Sequence, residues 1–321
     1  MTIAPSSILQ AAAEAAAGQQ YPAGALYVVA TPIGNLADIG LRAVHVLALA
    51  DRVACEDTRV SGALLQRLGL HKPLLALHAH NEAQAVAALL PRLAAGERVA
   101  LVSDAGTPAV SDPGARLVAA AAAAGHRVLP VPGASSALAA LCVAGDREGG
   151  MFTFVGFLPA RGQEREAALR RALAAPGTQL LFEGPHRIER LAAALAEAAP
   201  RRALTLCREL TKQFETVATM AAGELPGWLD ADTNRRRGEF VLVLHAEAAP
   251  PPAAAAGEAA GLVHAIDPGS ERTLRILLRE LPLKQAVALA AEIGGAPRKA
   301  LYALALAWRE GANLESDDDH A

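Results

Sequence analysis

Three loops in the first half of the chain carry residue types that suit ligand chemistry. They are Thr31-Pro32-Ile33-Gly34-Asn35, the run Ser103-Asp104-Ala105-Gly106-Thr107-Pro108 continuing to Ser111-Asp112-Pro113-Gly114, and Pro132-Gly133-Ala134-Ser135-Ser136. Glycine lets a backbone come close to a ligand, and proline fixes the turn. The hydroxyls and backbone N–H groups then suit an adenosine or an amino-acid head. The candidate contacts are Pro32, Gly34, Asn35, Ser103, Asp104, Ala105, Gly106, Thr107, Pro108, Ser135 and Ser136. The sequence has no G-x-x-x-x-G-K-[ST] loop, and no G-x-G-x-x-G follows the first strand, which weakens a nucleoside triphosphatase or a dinucleotide dehydrogenase. His78 and His80 alternate at a strand end and could share a face, but no third ligand accompanies them and no metal is expected; Asn81 reads as the cap of the next helix.

Each of these loops follows an apolar run and precedes a helical pattern. Runs at 26–30, 53–55, 74–77, 99–102 and 128–131 predict strands, separated by helices near 41–50, 60–68, 83–93, 115–124 and 136–143. Strands that are apolar throughout and alternate with helices argue a mainly parallel sheet covered on both faces. In such sheets ligands bind at the carboxyl ends of the strands, where these loops lie. A second α/β unit is predicted with strands near 152–155, 179–182, 203–207 and 240–244 and helices at 164–173 and 187–198. Three amphipathic helices, at 270–281, 284–293 and 298–308, close the chain.

The expected organisation is a flexible extension or frayed helix at 1–24, α/β domains at 25–148 and 149–246, an Ala/Pro linker at 247–266, a helix-turn-helix-like domain at 267–312 and an acidic tail at 313–321. Hydrophobic residues make up 52% of the 321 positions, much of it alanine, and the net charge of −3 rules out a globally basic nucleic-acid binder. Three widely spaced cysteines suggest neither a disulfide framework nor a zinc site, so a reducing cytoplasm is the plain reading. The first 24 residues lack the basic start of a secretory signal, and no apolar run approaches the ~20 residues of a membrane span.

Longer stretches carry a resemblance. LYVVATPIGNLADIGLRAV with ACEDTR, then VSDAGTPAVSDPG, VPGASSAL, GFLPARG, LLFEGPHRI, CRELTKQFET, NRRRGEFVLVL and LPLKQAVALAAEIGGAPRKALYALAL resemble, in this order, the RsmI family of small-subunit ribosomal RNA cytidine 2′-O-methyltransferases. The resemblance spans nearly everything from Ala25 to Trp308. It implies two α/β domains of the tetrapyrrole-methylase type with the cofactor crevice between them, plus a small C-terminal helical domain. It further implies S-adenosyl-L-methionine as cofactor, 16S ribosomal RNA or the small ribosomal subunit as partner, a homodimer, and no membrane association. Two positions depart from the family pattern: Gly184, where serine or threonine is usual, and Thr219, where glycine is common.

Methyl transfer from a sulfonium to a ribose hydroxyl needs alignment, a dry pocket and a sink for the hydroxyl proton. Candidates for that sink, or for stabilising the developing charge, are Glu183 and His186 in FEGPHR and Glu209 and Lys212 in RELTK, with Glu56 and Asp57 in CEDTR. The base is left open among them. Bland readings stand beside these: Asp57 or Thr58 as a helix cap, and FEGPHR as a helix start. Arg59 and Arg187 suit phosphate contacts, as do Arg235, Arg236 and Arg237, with further cations at Arg170, Arg171, Arg201 and Arg202, and Arg298 and Lys299 in the helical unit. An aromatic content of 3% argues against a base-stacking platform. A tetrapyrrole or protein substrate on the same fold, or a binding module without activity, are the rival readings; the basic helical unit speaks against the first and the intact loops against the second.

Overall fold

The computed structural model describes residues 5–146, 150–247, 266 and 268–314. Almost all of the expected linker and acidic tail lies outside these described residues. Two compact units are present, one ending at Glu247 and one in the chain beyond it.

The first unit holds two sheets. Strands β1 (Leu26–Val29), β2 (Arg52–Cys55), β3 (Leu74–Ala76), β4 (Val99–Val102) and β5 (Val128–Val131) pair in the order β3-β2-β4-β1-β5, every neighbour parallel. Alternate residues feed two cores. Tyr27, Val29, Val53, Cys55, Ala100 and Val102 join one with helix α2 (Leu41–Leu49); Leu26, Ala54, Val99 and Leu101 join the other with α4 (Glu82–Ala94) and α5 (Ala115–Ala123). That two-sided burial is why these strands read as unbroken apolar runs. Helix α3 (Thr58–Arg67) follows β2 and starts at Asp57, whose side chain accepts the Arg59 backbone N–H at 2.8 Å, so the capping reading of Asp57 describes its local role. Asn81 differs: its side chain makes no capping bond and instead accepts from His78 N–H (2.8 Å) and donates to the Ala76 carbonyl (2.9 Å), pinning the loop before α4.

The N-terminal segment takes the helical of the two expected forms, and it packs on the core. Pro5–Ala16 forms a helix, α1, with Ala12 and Ala16 buried and Ile8 and Leu9 packed on the first core. Its alanine face allows close approach, which an alanine-rich composition read by itself does not reveal.

Helix α6 (Ser136–Ala144) leads to the second sheet: β6 (Phe152–Phe157), β7 (Thr178–Glu183), β8 (Ala203–Arg208), β9 (Thr216–Ala221) and β10 (Phe240–Leu244), in the order β6-β7-β10-β8-β9. Only β6 and β7 are parallel; the other neighbours are antiparallel. Helices α7 (Gly162–Ala174), α8 (Ile188–Ala198) and α9 (Leu225–Asp230) accompany it. In α8, Ile188, Leu191, Ala192 and Leu195 recur at helical spacing and are all fully buried. Strand β9 was not anticipated: TVATMA is an edge strand with alternating exposure and small polar residues, so it has no continuous apolar run. Ala137, Ala140 and Ala144 of α6 share a core with Leu180, Cys207, Val241 and Val243, which fastens the two sheets together and leaves a crevice above them.

The second unit comprises α10 (Pro268–Leu277), α11 (Leu283–Gly294) and α12 (Arg298–Leu314) around Leu274, Ala286, Val287, Ala290, Leu301 and Ala305. Gly295 takes the left-handed conformation (φ 72°) that ends α11 and turns the chain toward α12. Arg275 stacks over the Trp308 ring at 4.7 Å. Among the described residues no helix is long and apolar enough to cross a membrane.

Candidate active site

The crevice between the sheets has a volume of about 370 Å³, within the range of small-molecule sites. Ala105, Gly106 and Thr107 after β4 form one wall, and Ser135 and Ser136 at the start of α6 another. Ser135 occupies the capping position of α6, yet its side chain makes no capping bond. From the second sheet come Phe157, Phe182 and Glu183, with Leu210 and Phe240 behind them. The loop between β4 and α5 closes over the rim with Val110, Ser111 and Asp112, and both Ala109 and Ser111 sit at φ 64°, a conformation that side chains rarely adopt. Glu82 anchors the end of that loop, its carboxylate accepting the Gly114 N–H at 2.9 Å.

The predicted cofactor residues divide. Ala105, Gly106, Thr107, Ser135 and Ser136 line the crevice. Pro32, Gly34 and Asp104 instead line a second cavity on the other side of the same loops, although Ile33 reaches the crevice. Ser103 is buried and its hydroxyl faces the carbonyls of Ala105 and Gly106, both at 3.3 Å, so it shapes the loop. The Asn35 side chain caps a 3-10 turn at Leu36–Asp38 through the Ala37 N–H. Pro108 is buried and lines neither cavity.

The acid–base candidates are heavily committed. Glu183 is buried between two arginines: Arg165 donates to Oε2 at 2.9 Å, and Arg187 Nε lies 2.8 Å from Oε1 as an ion pair. Gly184 N–H adds a 3.0 Å bond. The two arginines go on to hold the Pro159 carbonyl (3.2 Å) and the Leu158 carbonyl (2.6 Å) of the loop after β6. Glu183 is thereby tied into a brace of the fold and is not a free carboxylate. Lys212 bonds Glu209 at 2.9 Å and Glu239 at 3.0 Å. Burial alone would push the Lys212 ammonium down, but those two carboxylates outweigh it and raise its pKa. Burial likewise opposes ionisation of Glu209, and the bonds from Lys212 and the Glu239 N–H overcome it and hold that carboxyl low. Lys212 therefore stays a cation and Glu209 an anion near neutrality, which suits charge stabilisation and not proton uptake. His186 is exposed and does not line the crevice. Asp57 is held down to about 2 by hydrogen bonds from the Arg59 side chain and backbone.

Residues 25–226 match the Tetrapyrrole (Corrin/Porphyrin) Methylases, and residues 264–309 match the RsmI C-terminal HTH domain. A ribosomal RNA small subunit methyltransferase I from Neisseria meningitidis serogroup B is 46% identical over 89% of this chain and 94% of its own. A protein of the same name from Escherichia coli O157:H7 is 45% identical over 88% and 95%. The solved structure of the methyltransferase CobJ shares the fold at 20% identity, with a TM-score of 0.52 over 73% of this chain and 97% of that one. The chain belongs to the RsmI family. It is a methyltransferase of the tetrapyrrole-methylase fold with a helical C-terminal domain, as the ordered motifs imply.

Within this RsmI-family enzyme the predicted phosphate-binding cations also divide. Arg59 is exposed, its side chain 89% accessible, with the guanidinium held by Asp57. Arg187 is spent on Glu183 and Leu158, Arg235 stacks on Trp228 at 4.4 Å, and Arg236 pairs with Glu189 and Asp230. Arg202 is buried, donating to the His245 and Leu173 carbonyls. These arginines read as a basic patch in sequence, but they mostly brace the fold. Arg237, Arg170, Arg171 and Arg201 are exposed, and so are Arg298 and Lys299 in the first turn of α12. The departures are accommodated. A side chain at Gly184 would meet nothing within 4 Å, and the Thr219 hydroxyl bonds Thr205 at 2.7 Å. The aromatic and apolar crevice residues Phe157, Phe182, Leu210 and Phe240 went unremarked in sequence, since apolar residues in strands signal core before they signal a ligand.

Proposed function

We propose that this enzyme transfers the methyl group of S-adenosyl-L-methionine to the 2′-hydroxyl of a cytidine ribose in 16S ribosomal RNA, in the cytoplasm and on the small ribosomal subunit or its RNA. The observation that carries the substrate is the joint match: the methylase fold and the RsmI-type helical domain occur in one chain, in order, and relatives named for ribosomal RNA methylation match both.

The crevice residues fit the donor. Aromatic and apolar walls exclude water, the Ser135 and Ser136 hydroxyls suit a ribose or amino-acid head, and Asp112 supplies an anion. When bound, the donor supplies a methyl group on a positively charged sulfur. Burial pushes the Asp112 and Glu56 carboxyls up, and neighbouring Asp104 adds to both shifts, so a cation beside them is electrostatically favoured. The Ala105–Thr107 backbone and the serines would hold the adenosine and methionine ends, and Phe157 and Phe182 would keep the pocket dry. Exposed cations of the helical unit, Arg298 and Lys299 among them, and Arg237 of the α/β unit would take RNA phosphates.

The protein works as a homodimer in this reading. Helix α6 is apolar on all sides, with Leu138 58% exposed, and Leu141 and Cys142 line a surface hollow with Met151 and Phe152 of β6. A contiguous apolar face of this kind marks an interface. To test the activity, the protein is incubated with methyl-labelled donor and small subunits, and RNA and protein are separated. Label in RNA supports the reading; label in ribosomal protein, or acceptance of a tetrapyrrole alone, refutes it.

A further inference from the structure

The loop joining β8 to β9, residues 209–215, is closely held although much of it is exposed. Glu209 and Thr211 both take the left-handed conformation, at φ 52° and 65°. Non-glycine residues stay there only where their surroundings over-determine them, and such strain gathers at ligand sites. Here the surroundings are a set of backbone bonds. The Glu209 N–H donates to the Glu239 carbonyl (3.0 Å), the Lys212 N–H to the Glu209 carbonyl (3.0 Å) and the Glu215 N–H to the Lys212 carbonyl (3.1 Å). The buried Arg208 side chain adds two more, donating to the Phe214 carbonyl at 3.0 Å and to the Arg237 carbonyl at 2.8 Å. One guanidinium therefore brings the Phe214 and Arg237 backbones together.

Both residues face solvent. Phe214 is 69% exposed, more than any other aromatic among the described residues. Arg237 is exposed too, and its guanidinium has no hydrogen-bond or ion-pair partner among the described residues, unlike Arg235 and Arg236 before it. The neighbouring anions are turned elsewhere: Glu215 accepts the Thr211 N–H, and Glu209 and Glu239 pair with Lys212. One exposed ring is unremarkable by itself. Its fixed backbone and the free cation beside it are what point to a ligand. The crevice is close at hand, since Leu210 and Glu239 line it from the same two segments.

An aromatic face beside a guanidinium fits an unpaired nucleotide: the ring stacks on the base, and the cation takes a phosphate of the same strand. We infer that Phe214 and Arg237 form a docking subsite for single-stranded RNA at the rim of the crevice, Phe214 stacking one base and Arg237 holding a neighbouring phosphate. This rests on the RNA methyltransferase reading above and adds a substrate-binding subsite to it. A base stacked inside a duplex cannot offer its face to Phe214, so the strand is unpaired where it meets the loop. An aromatic content of 3% speaks against a sheet-wide stacking platform, but one ring on a fixed loop serves one base. Because the charges around the ring largely balance, stacking carries the base contact and Arg237 carries the salt-dependent part.

The test compares the full-length wild type with Phe214→Ala, Phe214→Trp and Arg237→Ala. Small-subunit binding is measured over a range of salt, with methylation kinetics, donor affinity by calorimetry and oligomeric state by light scattering. Phe214→Ala should weaken subunit binding about 10-fold with its salt dependence unchanged. Phe214→Trp should bind like wild type, because the indole offers the same stacking face. Arg237→Ala should also weaken binding and reduce the salt slope by about one. In each weakened variant the loss should fall on the KM for subunits more than on kcat. Should Phe214→Ala melt early, Phe214→Leu keeps the apolar bulk without the ring and should show the same loss. Wild-type binding by both Phe214→Ala and Phe214→Leu overturns the subsite. So does a loss of binding that comes with dissociation into monomers, which would place the ring between two copies of the chain. A wild type that labels no RNA ribose overturns the underlying function as well, so the two failures are distinguishable.

Discussion

At the scale of single residues, chemistry at this site is decided by which polar groups are already spent. Glu183, Lys212, Glu209 and Arg187 all stand out in sequence, and each is tied into an ion pair. Sequence shows that charges of both signs occur together; it does not show which of them neutralise one another, and that pairing separates a base from a brace. Cys207 is a further case. It lines the crevice, but burial pushes its thiol up to about 12, so it stays protonated and unreactive, whereas Cys142 is exposed. Alkylation of the native protein at neutral pH should spare Cys207 and Cys55, both buried, as read by peptide mass spectrometry; rapid labelling of Cys207 would contradict this. The carboxyls of Glu56 and Asp112 are both pushed up, chiefly by burial, with Asp104 near each and Asp57 also near Glu56. They lose charge as pH falls toward these raised values, before an ordinary carboxylate would. Affinity for S-adenosylmethionine should therefore weaken on mild acidification, while that for S-adenosylhomocysteine, which lacks the sulfonium charge, changes less. Calorimetry at two pH values checks the sign.

Elements carry the positioning. Glu183 ends β7, Arg165 sits in α7, and Arg187 precedes α8, so one buried carboxylate ties three elements to Leu158 and Pro159, in the loop that follows Phe157. Glu183→Gln should leave the buried Arg165 and half-buried Arg187 guanidinium groups undercompensated and cost about 3 kcal/mol, visible as a lower melting temperature. A variant that melts like wild type but does not transfer methyl would return Glu183 to the chemistry. The loop at 209–212 depends on glycine elsewhere. A Cβ on Gly34 would fall 2.5 Å from Lys212 Cγ, and Gly238, at φ 92°, packs as closely on the Glu209 side chain. Gly238→Ala should destabilise by about 1–3 kcal/mol, and denaturant unfolding measures it. Much of this architecture was legible. The parallel sheet, the three loops and the closing helices announce themselves through apolar runs and turn residues. Strand β9 did not, and helix α1 showed only as a frayed alternative, because an alternating edge strand and an alanine helix draw their order from neighbours far away in sequence.

Over the whole molecule, the α/β unit provides two cavities separated by a wall two loops thick, and the helical unit provides cations on a small packed core. The sequence supplied the family through motifs spread across both units. Of the cations it marked, Arg202 is buried against carbonyls, while Arg235 and Arg236 are half-buried and already engaged by an indole and by carboxylates. If α6 and the start of β6 form the contact between two copies, Leu138→Glu should shift the protein from dimer to monomer in light scattering with its melting temperature little changed; an unchanged dimer would move the interface elsewhere. The measurement closest to the central claim is nucleoside analysis of small-subunit RNA after incubation with the enzyme and isotopically labelled S-adenosylmethionine. The account predicts one labelled nucleoside, 2′-O-methylcytidine, with the label on the ribose oxygen. Label on a base, on another nucleoside, or on no RNA at all would contradict it.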